Sequence, residues 1–371
     1  MTTRNEKSSE AISQIALRRL TSQRLVGAPL STPLAAVEWL AAVQAQDYMG
    51  AKWALGLRIR RSSDQHIEHA FANGLVLRTH LLRPTWHFVS RADIRWLLAL
   101  SAPRVHAANA HMYRTLGLDP ATFRRAETVL TRALTGGRHL TRDELRGLLE
   151  RAGIRADGSL RMSYLMMQAE LNGLVCSGPR RAKQFTYALL DERVPPAKPV
   201  GREESLVELA TRYFTSRGPA TVQDFAKWSG LTVKEGKLGL EGASRRLAHE
   251  VVDGKTYWFA PSKAVPDRSI SATVHLLSIY DEYVSGYKDR SAMGSRQDAA
   301  RLSAMGSALA HIIAIGGRIV GGWARHLAAS AVVVKVELFR RLTRAEGEAV
   351  QSAVRAYGDF LGVPARLEKR G

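Results

Sequence analysis

A chain of 371 residues, 45% hydrophobic and 24% charged, has the composition of a globular protein and the length for two or three domains with substantial cores. Lys and Arg total 54 against 34 Asp and Glu; the net charge of +20 is spread along the chain, which favours a folded surface that meets a polyanion, nucleic acid ahead of membrane. One cysteine, Cys176, excludes an internal disulfide framework and a Cys-based zinc cluster; no apolar run has the length of a membrane span, and the polar start lacks a signal core, so a cytoplasmic location is expected.

Ala11 to Leu25 reads as a helix with a stripe of Ile12, Ile15, Ala16, Leu20 and Leu25. Thr32-Pro33 then opens a second helix, a cap followed by the favoured first helical residue. It runs into Val43-Gln44-Ala45-Gln46-Asp47. Residues two apart lie about 200° apart around a helix but on one side of an extended segment. If the helix stops before Gln44, both amides can face one way, and two neutral amides can hold a water by donating and accepting at once. The alternative is a polar helix end.

Trp53 to Arg58 reads as a short connecting segment and Ser63 to Asn73 as a helix. Leu75 to Leu82 and Thr85 to Val89, separated by Arg83-Pro84, suggest a β-hairpin; Ser90 with Asp93 opens a helix reaching about Leu100.

Residues 116–194 predict three helices (119–134, 141 onward with a capping-box spacing, and 160–172 ended by Gly173), then two strands around a basic turn. That is the winged-helix plan, a helix-turn-helix relative. Arg180, Arg181 and Lys183 sit at the wing tip, where they can contact phosphate or simply form a solvated turn. The plan recurs over 200–265, with helices at 203–217, 221–230 and 241–247 and a hairpin turning at Asp253-Gly254. Residues 10–115 form a more divergent, winged-helix-like first module. Pro195 to Pro199 is a stiff linker.

Beyond residue 270 the periodicity becomes that of strands: 273–280, 308–315, 318–323 and 331–338, with Gly316-Gly317 as a hairpin turn. Thr343 to Leu361 is a helix. The expectation for 270–371 is a small β-barrel or sheet closed by one helix, and for the whole chain an α+β fold. Histidines are scattered without a metal-binding spacing, and phosphate-binding glycine loops and nucleophile elbows are absent, so neither metal nor cofactor is assigned. Tyr280 to Arg290 packs three tyrosines, Asp281, Glu282, Lys288 and Arg290 into eleven residues. Its two carboxylates suit either a general base or a salt-bridged turn at a domain junction.

Four stretches occur in order: Val43-Gln44-Ala45-Gln46-Asp47, Arg78 to Phe88, Asp281 to Arg290, and Gly316 to Trp323. Together they resemble the AlkZ/YcaQ family of bacterial winged-helix DNA glycosylases over nearly the whole chain. The resemblance implies tandem winged-helix modules and a C-terminal β-barrel forming a C-shaped clamp, with double-stranded DNA as partner and the protein acting as a monomer. It implies a monofunctional glycosylase removing bulky N7- or N3-alkylated purines; members unhook interstrand crosslinks or protect producers of DNA-alkylating antibiotics. Gln44-Ala45-Gln46 matches the Gln-Φ-Gln motif of the AlkZ branch rather than Gln-Φ-Asp of the YcaQ branch, with a small residue in the middle. The expected catalytic residues are Gln44 and Gln46, which place a water, and Asp47, as electrostatic support or as a brace. The expected DNA contacts are Arg83, Arg180, Arg181, Lys183, Lys288, Arg290, Arg318, Arg325 and His326, where Arg325-His326 replaces the second arginine expected after the tryptophan. The competing class is a non-enzymatic winged-helix transcription regulator; a drug-sequestering resistance protein is a third.

Overall fold

The computed structural model describes residues 4–261, 268–306, 311–328 and 330–369. The first module opens with α1 (Arg4–Ser22) and α2 (Pro33–Leu40). Thr32 Oγ1 accepts the amide of Ala35, and Pro33 occupies the first helical position, where its missing N–H costs nothing. Ala41 at φ 59° ends the helix abruptly and turns the chain into β1 (Val43–Gln44). Next come α3 (Tyr48–Gly56), α4 (Asp64–Ala72), β2 (Val76–Leu81), β3 (Arg83–Ser90) and α5 (Ile94–Thr115). The small antiparallel sheet has the order β1-β3-β2.

Two expectations fail in this module. The segment at Trp53 to Arg58 is largely the end of α3, a helix buried on nearly every side from Gly50 to Leu55, so it shows no amphipathic period in sequence. The helix expected to stop near Leu100 continues through Pro103 to Thr115, since Ala102, Val105 and Asn109 carry its buried face beyond the proline.

The second module contains α6 (Pro120–Leu134), β4 (Leu140–Thr141), α7 (Arg142–Arg151), α8 (Ser159–Leu171), β5 (Val175–Ser177), β6 (Thr186–Leu189) and α9 (Leu190–Arg193). Its sheet runs β4-β6-β5, so the short strand between the first two helices pairs with the last. It has a core of its own, built on Leu130, Leu145, Leu149, Met162 and Leu165.

The third module contains α10 (Arg202–Arg217), α11 (Val222–Ser229), α12 (Val233–Ala243) and the hairpin β7 (Ala248–Val252) and β8 (Lys255–Phe259). Asp253 and Gly254 turn that hairpin with φ of 48° and 72°, the paired positive values a two-residue hairpin favours. The third helix begins well before the expected 241, capped by Thr232 with Glu235 in a capping box. Gly236, Gly239 and Gly242 hid its helical pattern. They are there for close approach: a Cβ at Gly239 would collide with the Leu206 carbonyl of α10, and one at Gly236 would press on Phe225.

The C-terminal part has β9 (Val274–Leu277), α13 (Glu282–Ser285), α14 (Arg296–Ala304), β10 (His311–Ile315), β11 (Arg318–Leu327), β12 (Val332–Leu338), α15 (Arg344–Leu361) and β13 (Ala365–Lys369). Residues 308–310 of the expected strand lie outside the described residues. The sheet order is β13-β12-β11-β10-β9, with β13 and β9 at its two edges. Of the expected small barrel or sheet closed by one helix, the structure has the sheet, five-stranded and curled, and among the described residues three helices rather than one. Against that sheet α15 presses Val354, Tyr357 and Phe360. Burial of each such side chain contributes about 2 kcal/mol.

The C-terminal part is not a separate body. One apolar core joins α2, β1, α3 and α4 to β10, β11, β12 and α15 through Val43, Trp53, Ile313, Trp323 and Phe360. A second joins β2 and α5 to the third module and α13 through Leu77, Leu97, Phe225, Trp228 and Tyr283. The two cores place β1 at a junction of three parts of the chain. No helix among the described residues is long and apolar enough to cross a membrane.

Candidate active site

β1 is only two residues long because Ala41 leaves α2 just before it and α3 begins just after. Val43 pairs with Phe88 and Gln44 with His87 on β3. The ladder extends by one bond, from the Ala45 amide to the Trp86 carbonyl at 2.7 Å, and Arg78 Nε clamps the Ala45 carbonyl at 3.0 Å. Gln44 is 8% exposed, while Gln46, just past the ladder, is exposed. The Gln46 Oε1 takes a long bond from the Trp86 amide, 3.4 Å. The helix ends before Gln44, so of the two readings the spacing left open the structure takes the extended one, with Gln44 and Ala45 on the ladder and Gln46 just beyond it.

A carboxylate seats this strand. Glu282 Oε1 accepts the Gln44 backbone amide at 2.9 Å. Its Oε2 accepts Arg217 Nη2 at 2.6 Å, Arg217 Nε at 3.1 Å and Trp228 Nε1 at 2.9 Å. Arg217 also donates to the Ala42 carbonyl at 3.0 Å. Both members of this ion pair are fully buried. Asp281 beside it is equally buried, held by Arg58 through two bonds of 2.8 and 2.9 Å, and its Oδ1 caps α13 by accepting the Tyr283 amide. Asp281 and Glu282 are therefore salt-bridged junction residues, with their lone pairs committed to protein donors.

Asp47 stands at the cap position of α3 but makes no side-chain cap. Its carboxylate instead receives Arg325 Nη2 of β11 at 3.1 and 3.2 Å, and Arg325 reaches Tyr357 Oη of α15 at 3.5 Å. Asp47 is a brace between the motif and the C-terminal sheet.

Arg83 also turns toward the motif. It donates to Gln44 Oε1 at 3.1 Å and to the carbonyls of Trp228 at 2.8 Å and Lys227 at 3.3 Å. His87 Nδ1 donates to the Thr85 carbonyl at 2.9 Å, which leaves Nε2 as the acceptor, 3.5 Å from Arg83 Nη2. Burial first, and then Arg83, hold the His87 imidazole well below its ordinary pKa, so it is neutral. Burial and the neighbouring Arg83 and Arg290 charges bring the Lys227 ammonium down to about 8.

The other expected DNA contacts divide into two groups. Arg180 folds back to Glu68 at 3.3 Å and over the rings of Tyr48 and Phe185, and Arg181 pairs with Glu144 at 2.8 Å. Lys183, Lys288, Arg290, Arg318 and His326 are exposed.

The sequence of the chain matches the family model described as DNA glycosylase AlkZ-like over residues 37–360. The chain belongs to the AlkZ-like DNA glycosylase family. It is a DNA glycosylase of mixed α+β fold, with DNA as its substrate and DNA repair as its setting. Its fold is that of Streptomyces sahachiroi DNA glycosylase AlkZ, at 21% sequence identity and a TM-score of 0.77, covering 96% of this chain and 99% of that one. No curated sequence matches the chain.

Sequence reading missed the supporting cast of this AlkZ-like motif. In sequence Arg217 and Trp228 are ordinary helix residues, and Arg58 ends a connecting segment. One signal was present: Asp281-Glu282 is a carboxylate pair in an apolar run, and such a pair needs buried cations.

Proposed function

We propose that this DNA glycosylase is monofunctional and excises bulky N7- or N3-alkylated purines, with Gln44 and Gln46 as its catalytic residues. The observation that carries the reading is the chemistry of the motif: its side chains of proton-neutral type are the two amides, while the nearby Asp281 and Glu282 carboxylates are locked in buried ion pairs. A site with amides in place of a free general acid suits a substrate whose leaving group needs no protonation. An N7-alkylpurine is such a substrate, because its positive charge already weakens the glycosidic bond. Water then attacks C1′, the C1′–N bond breaks, the bond electrons neutralise the purine, and the water proton leaves to solvent or to an amide-bound water. Gln44 and Gln46 hold that water and stabilise the oxocarbenium-like sugar; Asp47 supplies a fixed negative field.

The helix, strand, helix, helix, hairpin order of the second module and the three helices and hairpin of the third support winged-helix modules that grip duplex DNA. Exposed Lys183, Lys288, Arg290, Arg318 and His326 are the basic groups we assign to DNA contacts. The exposed position of Gln46 suits access to a bulky adduct, and the proposal extends to crosslink unhooking and self-resistance to a DNA-alkylating natural product. The reading has the protein act as a monomer in the cytoplasm. Family membership favours an enzyme over a transcription regulator or a drug-sequestering protein. The test is mass-spectrometric detection of free alkylpurine, together with heat-labile abasic sites, when duplex DNA bearing N7-alkylguanine is incubated with the protein. Tight binding with no released base from monoadducted or crosslinked duplex would overturn the reading.

A further inference from the structure

We infer that Arg83 is a positioning residue that fixes which way the Gln44 amide faces, and thereby divides labour between the two glutamines. The inference rests on the catalytic role proposed above for Gln44 and Gln46.

A guanidinium carries five N–H donors and no acceptor. The group 3.1 Å from Arg83 Nη2 on the Gln44 side chain must therefore be its oxygen, since an amide NH2 there would set donor against donor. Arg83 cannot swing away at low cost. Its Nη1 is held by the carbonyls of Trp228 and Lys227, and His87 Nε2, an acceptor because Nδ1 is committed to Thr85, lies beside Nη2. Gly230 in the same turn packs so closely on the Leu82 carbonyl and Arg83 that a Cβ would not fit. Burial lowers the Arg83 pKa, and the field of Glu282 opposes that shift.

With its oxygen turned to Arg83, Gln44 presents two N–H donors on its other side. Gln46 has the opposite bias. Its oxygen receives only the 3.4 Å contact from the Trp86 amide and keeps acceptor capacity. Gln44 is thus the donor of the pair and Gln46 the acceptor: Gln46 takes a hydrogen bond from the attacking water, and Gln44 donates to the same water or to an acceptor on the departing purine. Arg83 belongs to the machinery as an orienting group rather than as a phosphate contact.

The experiment compares Arg83→Ala and Arg83→Lys with wild type by single-turnover excision from N7-alkylguanine duplex, by DNA affinity at several salt concentrations, and by the side-chain amide resonances of Gln44 in DNA-free, 15N-glutamine-labelled protein. The account predicts shifted Gln44 resonances in Arg83→Ala, a fall of about a hundredfold in the single-turnover rate, a Kd within about threefold of wild type with unchanged salt slope, and partial rescue of the rate by added guanidinium. Thermal melts confirm that the variants fold; if Arg83→Ala does not, Arg83→Lys carries the test, with one donor geometry lost and the same shift in resonances expected. A weaker Kd with a salt slope smaller by about one and an unchanged rate would overturn the inference and make Arg83 a phosphate contact. If wild type excises nothing, the catalytic reading fails, and the resonances still decide the orientation: unmoved Gln44 signals in both variants would overturn it.

Discussion

The backbone amide of Gln44 donates to Glu282 Oε1 at 2.9 Å across 238 residues of sequence. A carboxylate that resembles a general base in the sequence is a structural anchor, and the strand carrying the proposed catalytic pair hangs from it. The same carboxylate takes Arg217 and Trp228 on its other oxygen, so β1, the end of α10, α11 and α13 meet at one buried group. Replacing Glu282 by Gln keeps an acceptor for Gln44 but leaves Arg217 as a buried charge without its partner. The expected cost is about 3–5 kcal/mol, read from urea unfolding midpoints. An E282Q protein as stable as wild type would show that the pair is not what holds this junction.

The two glutamines respond differently to a carboxylate. Gln44→Glu preserves the contact with Arg83 but has no N–H to offer, so its single-turnover excision falls as far as that of Gln44→Ala, about a hundredfold or more. Gln46→Glu keeps an acceptor at the exposed position and retains more activity than Gln46→Ala. Side-by-side rates of the four variants on one duplex check the asymmetry; equal losses at the two positions would contradict it.

Asp47 and Arg325 are joined by two contacts of 3.1 and 3.2 Å, linking the end of the motif to β11. Their effects on the excision rate are therefore not additive. A double-mutant cycle with Asp47→Asn and Arg325→Gln is expected to give a coupling of about 0.5–3 kcal/mol. Zero coupling, with Arg325→Gln acting on DNA affinity alone, would return Arg325 to the set of phosphate contacts.

Among the groups that make stability depend on pH are the buried His87 and the half-buried His311. Burial, with Arg325 nearby, lowers His311 to about 4, and its Nδ1 accepts the Ile279 amide at 3.0 Å; His87 lies well below the ordinary range as well. Both are neutral in the folded chain and take up a proton when it unfolds, so the unfolded state binds more protons below the ordinary histidine value. Their stabilisation is complete above about pH 6.5. It falls as the pH drops from there toward 4, where His311 itself titrates. Urea midpoints should decline between pH 7 and pH 4.5, and less steeply in His311→Asn, which retains an acceptor for Ile279. Parallel slopes for the two proteins would remove His311 from this account.

Local chemistry made much of the architecture legible. Thr32, Thr141, Thr221 and Thr343 announced helices that the structure places within a residue or two, and Asp253-Gly254 announced its hairpin. The spacing of Gln44 and Gln46 left an extended segment and a polar helix end both open, and the abrupt helix stop at Ala41 decides between them. Thr232 is not legible as a cap because the glycines after it lower helix propensity, and their value, close packing on α10 and Phe225, appears only in three dimensions. Whether the C-terminal strands close into a barrel or stay an open sheet is not legible in sequence, because edge pairing is not written in period-two alternation. Arg58 and Arg217 were illegible for a related reason: their partners lie 223 and 65 residues away, at distances no window of local pattern spans. Arg83 and Arg325 looked like DNA contacts because a basic residue in a DNA-binding chain is most simply spent on phosphate, whereas here each is turned onto the motif.

The most direct test of the central claim is single-turnover excision of N7-alkylguanine from duplex DNA by wild type, Gln44→Ala and Gln46→Ala, with DNA affinity measured on the same preparations. The account predicts release of the base by wild type and a loss of about a hundredfold or more in both variants, with Kd nearly unchanged. Excision by both variants at close to the wild-type rate would contradict the assignment of Gln44 and Gln46 as the catalytic pair.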